Sequence, residues 1–349
     1  MPPRAATGSG VTQLDRRQAL AALLGIPLVL SGCTTGTDGG NGSTAGAGPA
    51  GSSASPSGSP TAAPADPLLI AAATREQILA GRTHAVLSGS ARSKLNPGQR
   101  AVLSAIRDAH LAHLAALRSP DPTSRPTPAP GTTPAADPSF GRLPLAKALS
   151  TLAAGERAAA AAGRSATLSS TGFTALLHGS IAVAAGWYAT ALASRSGLPV
   201  AKPGAQRGLP ALSDSDAIAD LVTQLHALVY GYQLAIGKLA VRSRRHQQAV
   251  AELSSVRALR DRLIAVLDER KAEVPVPEPA YVPAVRVHDA ASAARSILLM
   301  RSALLPHCGL FLAAATAGER TLAFDTLAGA ATSARAWGAP LPPWPGWPS

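Results

Sequence analysis

Apolar residues recur every three or four positions over most of the chain beyond residue 66, which is the periodicity of helices buried along one face. The clearest stripe runs from Ile218 to Leu239, and a second follows from Leu253 to Leu267. Glycine and proline interrupt the pattern between the stripes. We predict eight helices, at about 67–88, 97–118, 143–169, 171–195, 214–243, 246–273, 289–315 and 317–338.

These helices fall into two groups of four with the same layout. Within each group a long proline-rich segment, at about 119–142 or 274–288, joins the second helix to the third. Fifteen residues in polyproline conformation cover roughly 46 Å, and the sixth helix is about 42 Å long. Both segments can therefore run the full length of a bundle. One long central crossover is the ferritin-like arrangement, so we predict an all-α protein of tandem ferritin-like four-helix bundles.

The first 33 residues have the pattern of an export signal. Arg4, Arg16 and Arg17 supply positive charge, and an apolar run at 19–30 is too short to span a bilayer. The sequence Leu-Ser-Gly-Cys at 30–33 resembles the bacterial lipobox, which implies a lipid on Cys33 and an anchor on the extracytoplasmic face of the cell membrane. The paired arginines also resemble a twin-arginine signal, so the export route stays open between the two systems.

Composition divides the rest of the chain. Residues 34–65 are almost entirely Gly, Ser, Thr, Ala and Pro, so we predict a flexible tether. The tail cannot be helical because it is rich in proline, and we expect its tryptophans to fold back on the bundle. The predicted organisation is a lipoprotein signal peptide (1–33), the tether (34–65), an N-terminal bundle (66–195), a linker (196–213), a C-terminal bundle (214–340) and a Pro/Trp tail (341–349).

The chain carries a formal charge of +12, which favours anionic partners. Nucleic acid is not expected, because the protein is predicted to be exported and has no basic stripe interleaved with aromatic residues. Anionic lipid headgroups or cell-wall polymers fit better. The sequence contains no phosphate-binding glycine loop, nucleophile elbow or His-Glu-x-x-His motif. These observations favour a non-catalytic interaction or structural module of the cell envelope.

Residues 214–346 resemble a ferritin-like domain of unknown function found in actinobacterial lipoproteins. The resemblance rests on the segments at 225–232 (LHALVYGY), 257–263 (RALRDRL), 279–281 (PAY), 317–320 (AGER) and 337–346 (WGAPLPPWPG). It implies a ferritin-like bundle and no established activity. Leu225 stands where that family tends to have Glu, and Glu252 lies beside the apolar stripe of its helix. We therefore expect no metal site in the C-terminal bundle.

The N-terminal bundle has ionisable residues at positions where a core is expected. They are Glu76, His110, His113, Glu156 and His178, which come from all four of its helices. Buried without partners, these groups would each cost several kcal/mol. Two explanations stay open: a polar cluster whose members pair with one another, or a site for a transition metal such as iron, manganese or zinc. The second would make the chain a metal-binding or redox protein.

Overall fold

The computed structural model of the protein describes residues 66–119, 135, 137–194, 210, 212–340 and 342–347. Over these ranges the chain forms eight α-helices and two short 3₁₀ segments, with no strand, which confirms the all-helical prediction. The signal peptide, the lipidation site Cys33 and the tether lie outside the described residues. The helices are α1 (Pro67–Ser88), α2 (Pro97–Leu117), α3 (Leu145–Ser169), α4 (Gly172–Ser194), α5 (Asp214–Ile236), α6 (Arg244–Glu269), α7 (Ala290–Ala314) and α8 (Arg320–Ala336).

Capping side chains explain where several helices begin. Asn96 accepts a hydrogen bond from the backbone N–H of Gln99, whose side chain in turn accepts from the backbone N–H of Asn96. Asp289 and Ser292 form the same reciprocal capping box at the start of α7. Ser243 caps α6 by accepting from the backbone N–H of His246. Each cap satisfies N–H groups that have no partner inside the helix.

The end of α5 differs from the prediction. The helix stops at Ile236, and residues 237–243 form a turn rather than the last two turns of the helix. Leu239 is nevertheless buried, so the apolar stripe continues beyond the helix and made it look longer. Arg242 adopts a positive φ of 66°, which a right-handed helix cannot contain.

Each group of four helices packs around its own interior. In the first group α1 pairs with α2 and α3 with α4, while α1 contacts α3 and α2 contacts α4. In the second group α5 contacts both α6 and α7, and α7 pairs with α8. The two groups also contact each other, chiefly through α4 and α7, and their described residues belong to one compact unit.

Helices α4 and α7 are long and apolar enough to cross a membrane, judged by length and composition. In α4 the most apolar window is 89% buried within the protein, and in α7 it is 44% buried. Contact between these two helices joins the halves of the unit. Their apolar character is therefore accounted for, wholly in α4 and partly in α7, by packing inside the protein.

The segment between α6 and α7 runs beside α5. At its start, Arg270 forms an ion pair with Asp214 at the beginning of α5, with 3.2 Å between Nη1 and Oδ2. Farther along, the ring of Tyr281 lies 5.7 Å from that of Tyr230, centroid to centroid. The corresponding segment of the first group falls mainly on residues 120–134, which lie outside the described residues.

Candidate metal centre

Four ionisable side chains meet in the interior of the first helix group. Glu76 comes from α1, His110 and His113 from successive turns of α2, and Glu156 from α3. None is more than 2% exposed. The spacing of three residues between the histidines places both on the same face of α2. The structure therefore brings together four of the five residues that the sequence singles out.

One carboxylate oxygen is the centre of this cluster. Oε2 of Glu76 lies 2.7 Å from Nδ1 of His110 and 2.9 Å from Nδ1 of His113. These three ligand-type atoms all lie within 4.8 Å of one another. Two imidazoles thus direct the same ring nitrogen at a single carboxylate.

The other nitrogen of each ring has a different partner. Nε2 of His110 is 2.8 Å from Oε1 of Glu156. Nε2 of His113 is 2.7 Å from the backbone carbonyl oxygen of Pro343, in the C-terminal tail. A carbonyl only accepts, so this nitrogen of His113 carries a proton and donates it. The cluster has an inner carboxylate and two outer acceptors.

The hydrogen bonds fix the charge of the cluster. Each of its four short contacts requires one proton between the two atoms. With no further proton on the free oxygen of Glu156, four protons shared by two imidazoles and two carboxyl groups make the cluster electrically neutral, whichever atom of each contact carries the proton. Because the cluster is neutral, its complete burial costs less free energy and needs no external counter-ion.

Burial and mutual attraction act on the same groups in opposite directions. Burial alone would raise the pKa of Glu76, but the charges and hydrogen bonds of His110 and His113 lower it to about 2. Burial would lower the pKa of His110, but the neighbouring carboxylates Glu156 and Glu76 raise it to about 10. For Glu156 burial prevails, and its pKa is raised despite the contact with His110.

The walls of the cluster are aromatic, and one polar atom in it has no partner. Tyr188 of α4 packs edge-on against His110, with ring centroids 5.8 Å apart. Trp344 of the tail packs against His113 at 4.6 Å. Oε2 of Glu156 is buried and has no hydrogen-bond partner among the described residues. Tyr188 and Trp344 thus cover the cluster on two sides, and one oxygen of Glu156 is free to accept a hydrogen bond or bind an ion.

The structure does not bring His178 to this cluster. His178 is buried, and its Nε2 has no hydrogen-bond partner in the described part of the chain. The charged groups that act on its pKa are Asp66 and Arg75, and burial is the larger influence, which lowers that pKa. Tyr188, ten residues later in α4, is the residue beside His110. At 1.5 Å per residue these two positions are about 15 Å apart along the helix.

The sequence did not predict that the C-terminal tail contacts the cluster, although it predicted that the tail folds back. Trp344 and Trp347 are buried, so the prediction that they fold back is confirmed. Gly346 has a φ of +91° and lies close to α7. A Cβ on Gly309 would lie only 1.8 Å from the carbonyl oxygen of Gly346. Glycine at 309 therefore permits the approach that brings Pro343 and Trp344 to the cluster.

A second polar cluster lies in the other helix group and centres on Glu252, which the sequence placed beside the stripe. Oε2 of Glu252 lies 3.1 Å from Nη2 of Arg301 and 3.0 Å from the indole Nε1 of Trp337. It also accepts hydrogen bonds from the hydroxyl groups of Tyr232 and Ser333. Arg301 is 6% exposed, and its guanidinium supplies the positive charge here. This cluster offers a metal no open set of ligands.

Comparison with known proteins finds that the second helix group is similar to a family without an assigned role. Residues 217–349 match the family described as a domain of unknown function, DUF4439. A solved structure, that of the conserved hypothetical protein rv2844 from Mycobacterium tuberculosis, is 26% identical over 36% of this chain and 93% of that one, with a TM-score of 0.34. No curated protein matches the sequence. The segment from 217 to the end is thus similar to DUF4439 domains, and the candidate metal centre lies largely outside it.

Proposed function

We propose that the protein binds one divalent transition-metal ion at Glu76, His110 and His113. The observation that carries this proposal is the orientation of the two imidazoles. Both turn Nδ1 toward the Glu76 carboxylate, while each Nε2 meets an outer acceptor, Glu156 or the Pro343 carbonyl. Histidines that bind metals typically donate their second N–H to a carboxylate or backbone carbonyl in this way, which fixes the ring and its tautomer.

The charge of the cluster is also suited to a divalent ion. Two of its four protons lie between Glu76 and the two Nδ1 atoms. A divalent cation that replaced these two protons would leave the net charge at zero, and the outer hydrogen bonds of Nε2 would stay in place. Exchange of the two protons for the metal ion therefore leaves no net charge buried in the site.

The donor set restricts the metal. Two imidazole nitrogens and one carboxylate oxygen suit zinc and non-haem iron(II), and manganese is a further candidate because it accepts oxygen ligands readily. Bound there, such an ion would act as a Lewis acid or, for iron, as a redox centre. Glu156 would hold the ring of His110 and keep a free oxygen beside it.

The fold proposed for both groups is a ferritin-like bundle. In its support, the segment between α6 and α7 contacts α5 at both Asp214 and Tyr230, as a crossover along the bundle would. Carboxylate and histidine ligands directed from several helices into one interior are also the pattern of metal sites in such bundles. The first group would be the copy that kept metal ligands.

We further propose that the chain is a lipoprotein attached through Cys33 to the extracytoplasmic face of the cell membrane, where its positive charge favours anionic lipid or cell-wall polymer. Mass spectrometry of the chain expressed in a bacterium tests this. We expect a diacylglyceryl adduct on Cys33 and partition into the detergent phase, both lost in Cys33→Ser. An unmodified, water-soluble chain would refute the anchor.

A second candidate is a purely structural role for the cluster, in an interaction module without metal. Its support is that the four short contacts already satisfy the imidazoles without an ion. The two candidates differ in one measurable property, which is metal retained per folded chain.

The test uses the full-length chain with Cys33→Ser, purified and dialysed against zinc, iron(II) or manganese, with metal per chain measured by mass spectrometry. We expect near-stoichiometric retention of at least one of these metals and its loss in His110→Ala/His113→Ala. The matched control is His178→Ala, which removes a buried histidine of the same bundle that lies outside the cluster.

Circular dichroism of every variant separates loss of ligands from loss of fold. Retention in His178→Ala together with loss in the folded double variant supports the metal site. Absence of all three metals from the folded parent chain, or equal retention in the double variant, would establish the structural role instead.

A further inference from the structure

A groove runs between the two helix groups, where α8 packs against α3 and α4. Its volume is about 380 Å³, within the range of sites for small ligands. Along α8 its lining positions are 324, 328, 332 and 335, which share one face of the helix and span about 16.5 Å at 1.5 Å per residue. The groove is therefore elongated, and none of its lining residues belongs to the candidate metal centre.

Most of the residues that line the groove are apolar. Small side chains of α3 and α4, including Ala160, Ala182 and Val183, lie beside the larger rings of Trp187 and Phe324. A ligand that filled the groove would therefore gain free energy chiefly by removing apolar surface from water. This lining calls for a ligand with an apolar body.

The polar lining residues are two threonines and two arginines. The hydroxyl of Thr190 donates to the backbone carbonyl of Gly186, and that of Thr332 donates to the backbone carbonyl of Ala328. Each threonine has thus used its one hydroxyl proton within its own helix. No carboxylate belongs to the described residues that line the groove, so its charged lining groups are all positive.

The two arginines differ in the partners that they have. The guanidinium of Arg164 lies 5.5 Å from the ring centroid of Phe324, and its Nη2 is 3.3 Å from Oδ1 of Asp325, which stands outside the groove lining. Arg335 in the last turn of α8 has no hydrogen bond or ion pair with the described part of the chain. The buried indole N–H of Trp187, another lining residue, also has no partner there. The positive charge without a counter-ion is therefore at Arg335.

We propose that this groove binds an organic acid with an apolar body, such as a medium-chain fatty acid, with its carboxylate at Arg335 and its chain along the apolar lining. A guanidinium pairs with a carboxylate through two parallel hydrogen bonds, which favours this head over a neutral one. A cation of the same length suits the groove less, because both charged lining residues would repel it. The proposal does not depend on metal binding at the first cluster.

Gly186 provides a way to fill the groove. It lines the groove from α4, and a Cβ built there would meet no atom within 4 Å. Gly186→Leu should therefore place a side chain in the groove and leave α4 intact, since leucine favours helix over glycine. Gly329→Leu is the matched control, because Gly329 has the same open space at its Cβ but does not line this groove.

A second pair of variants tests the assignment of the carboxylate to Arg335. Arg335→Gln removes the positive charge without a counter-ion and keeps a side chain of similar shape. Arg257→Gln removes the same charge from an exposed position on α6, a helix that does not line the groove. The two variants have equal net charge, so a difference between them reports the position of the charge rather than the total charge of the chain.

The experiment titrates decanoate, below its micelle concentration, into the full-length Cys33→Ser chain in a calorimeter. We expect saturable binding of one molecule per chain, weakened by at least about tenfold, or about 1.4 kcal/mol, in Gly186→Leu and in Arg335→Gln. Gly329→Leu and Arg257→Gln should bind like the parent. Decylammonium should bind more weakly than decanoate, and acetate, which lacks the apolar body, should not bind measurably.

Several outcomes would overturn the proposal: no saturable binding of decanoate to the parent chain, equal binding by a folded Gly186→Leu variant, or equal weakening in Gly329→Leu. Decylammonium that bound as tightly as decanoate would overturn the preference for an acid. Equal weakening in Arg335→Gln and Arg257→Gln would overturn the placement of the carboxylate. Circular dichroism confirms that each variant is folded.

Discussion

A carboxylate lies at the centre of a polar cluster in each half of the helical unit, and the two halves neutralise that carboxylate in different ways. In the first half Glu76 faces two imidazoles, and the proposed metal ion would replace the two protons between them. In the second half Glu252 faces the guanidinium of Arg301. Arginine stays protonated throughout the physiological range, so its charge cannot be exchanged.

On the proposed function, one helical layout serves two purposes. A guanidinium attached to α7 holds its cluster together permanently and has no proton to exchange for a metal ion. Imidazoles hold theirs with protons, which compete with metal ions for the same nitrogens. We therefore expect a stability role at Glu252 and a metal-dependent role at Glu76.

Glu252→Gln should produce the largest loss of stability. The change leaves the buried Arg301 without its counter-charge, and breaking such a pair costs 3–5 kcal/mol when both groups are fully buried. Because Glu252 is 17% exposed, we expect about 3 kcal/mol in the free energy of unfolding, measured with urea. Glu269→Gln, on the exposed face of the same helix, is the control. If both variants lost the same free energy of unfolding, the ion pair of Glu252 with Arg301 would not be a special source of stability.

Metal should stabilise the chain through the first cluster alone. At a free metal concentration about 100 times the Kd, we expect a gain of about 2.7 kcal/mol in the free energy of unfolding. The gain should disappear in His110→Ala/His113→Ala and persist in Glu252→Gln. If Glu252→Gln abolished it as well, the two clusters would not be independent.

The inner and outer carboxylates of the first cluster should differ in their effect on metal affinity. Glu76→Gln removes a ligand charge and should abolish measurable binding. Glu156→Gln weakens only the outer partner of His110, for which we expect a loss of about tenfold. Competition with a chromophoric chelator measures both affinities. Equal losses would show that Glu156 is itself a ligand.

The tail should affect the cluster without contributing a ligand. Gly309→Ala would push Gly346 away, and with it the carbonyl of Pro343 that fixes His113. We expect a red shift in tryptophan fluorescence as Trp344 is exposed, and a loss of metal affinity of up to about tenfold. Gly329→Ala, whose Cβ has open space, is the control. An unchanged affinity together with a fluorescence shift would separate the tail from the site.

The smallest effect concerns pH. Burial raises the pKa of Glu252, but the hydrogen bonds from Ser333 and its other partners together lower it by more. The pKa in the folded state therefore lies below that in the unfolded state. The carboxylate thus stabilises the fold above the unfolded pKa of about 4.3, and this contribution is lost as pH falls through the folded pKa. The stability difference between the parent and Glu252→Gln should therefore shrink below about pH 4 in urea titrations. A stability difference that grew in acid would contradict the lowered pKa of Glu252 in the folded state.

Sequence periodicity predicted the helices well because burial of one face imposes a repeat that local residues display directly. Seven of the eight helices lie close to their predicted bounds, and α5 is shorter because Leu239 continues the stripe into a turn. Glu76, His110, His113 and Glu156 were identified for the same reason. A charged residue in an apolar stripe is visible without knowledge of any neighbour.

The sequence by itself thus determined the helical class, the faces that are buried and the ionisable residues on them. Only the tertiary structure decided which of those residues meet. A stripe fixes the direction of a side chain around the helix axis but not its level along a neighbouring helix, so His178 and Tyr188 share a stripe and only Tyr188 reaches His110. Pro343 and Trp344 join the cluster from 230 residues away, through contacts that depend on how two helix groups pack. Such contacts leave no periodic signal, because they arise between elements rather than within them.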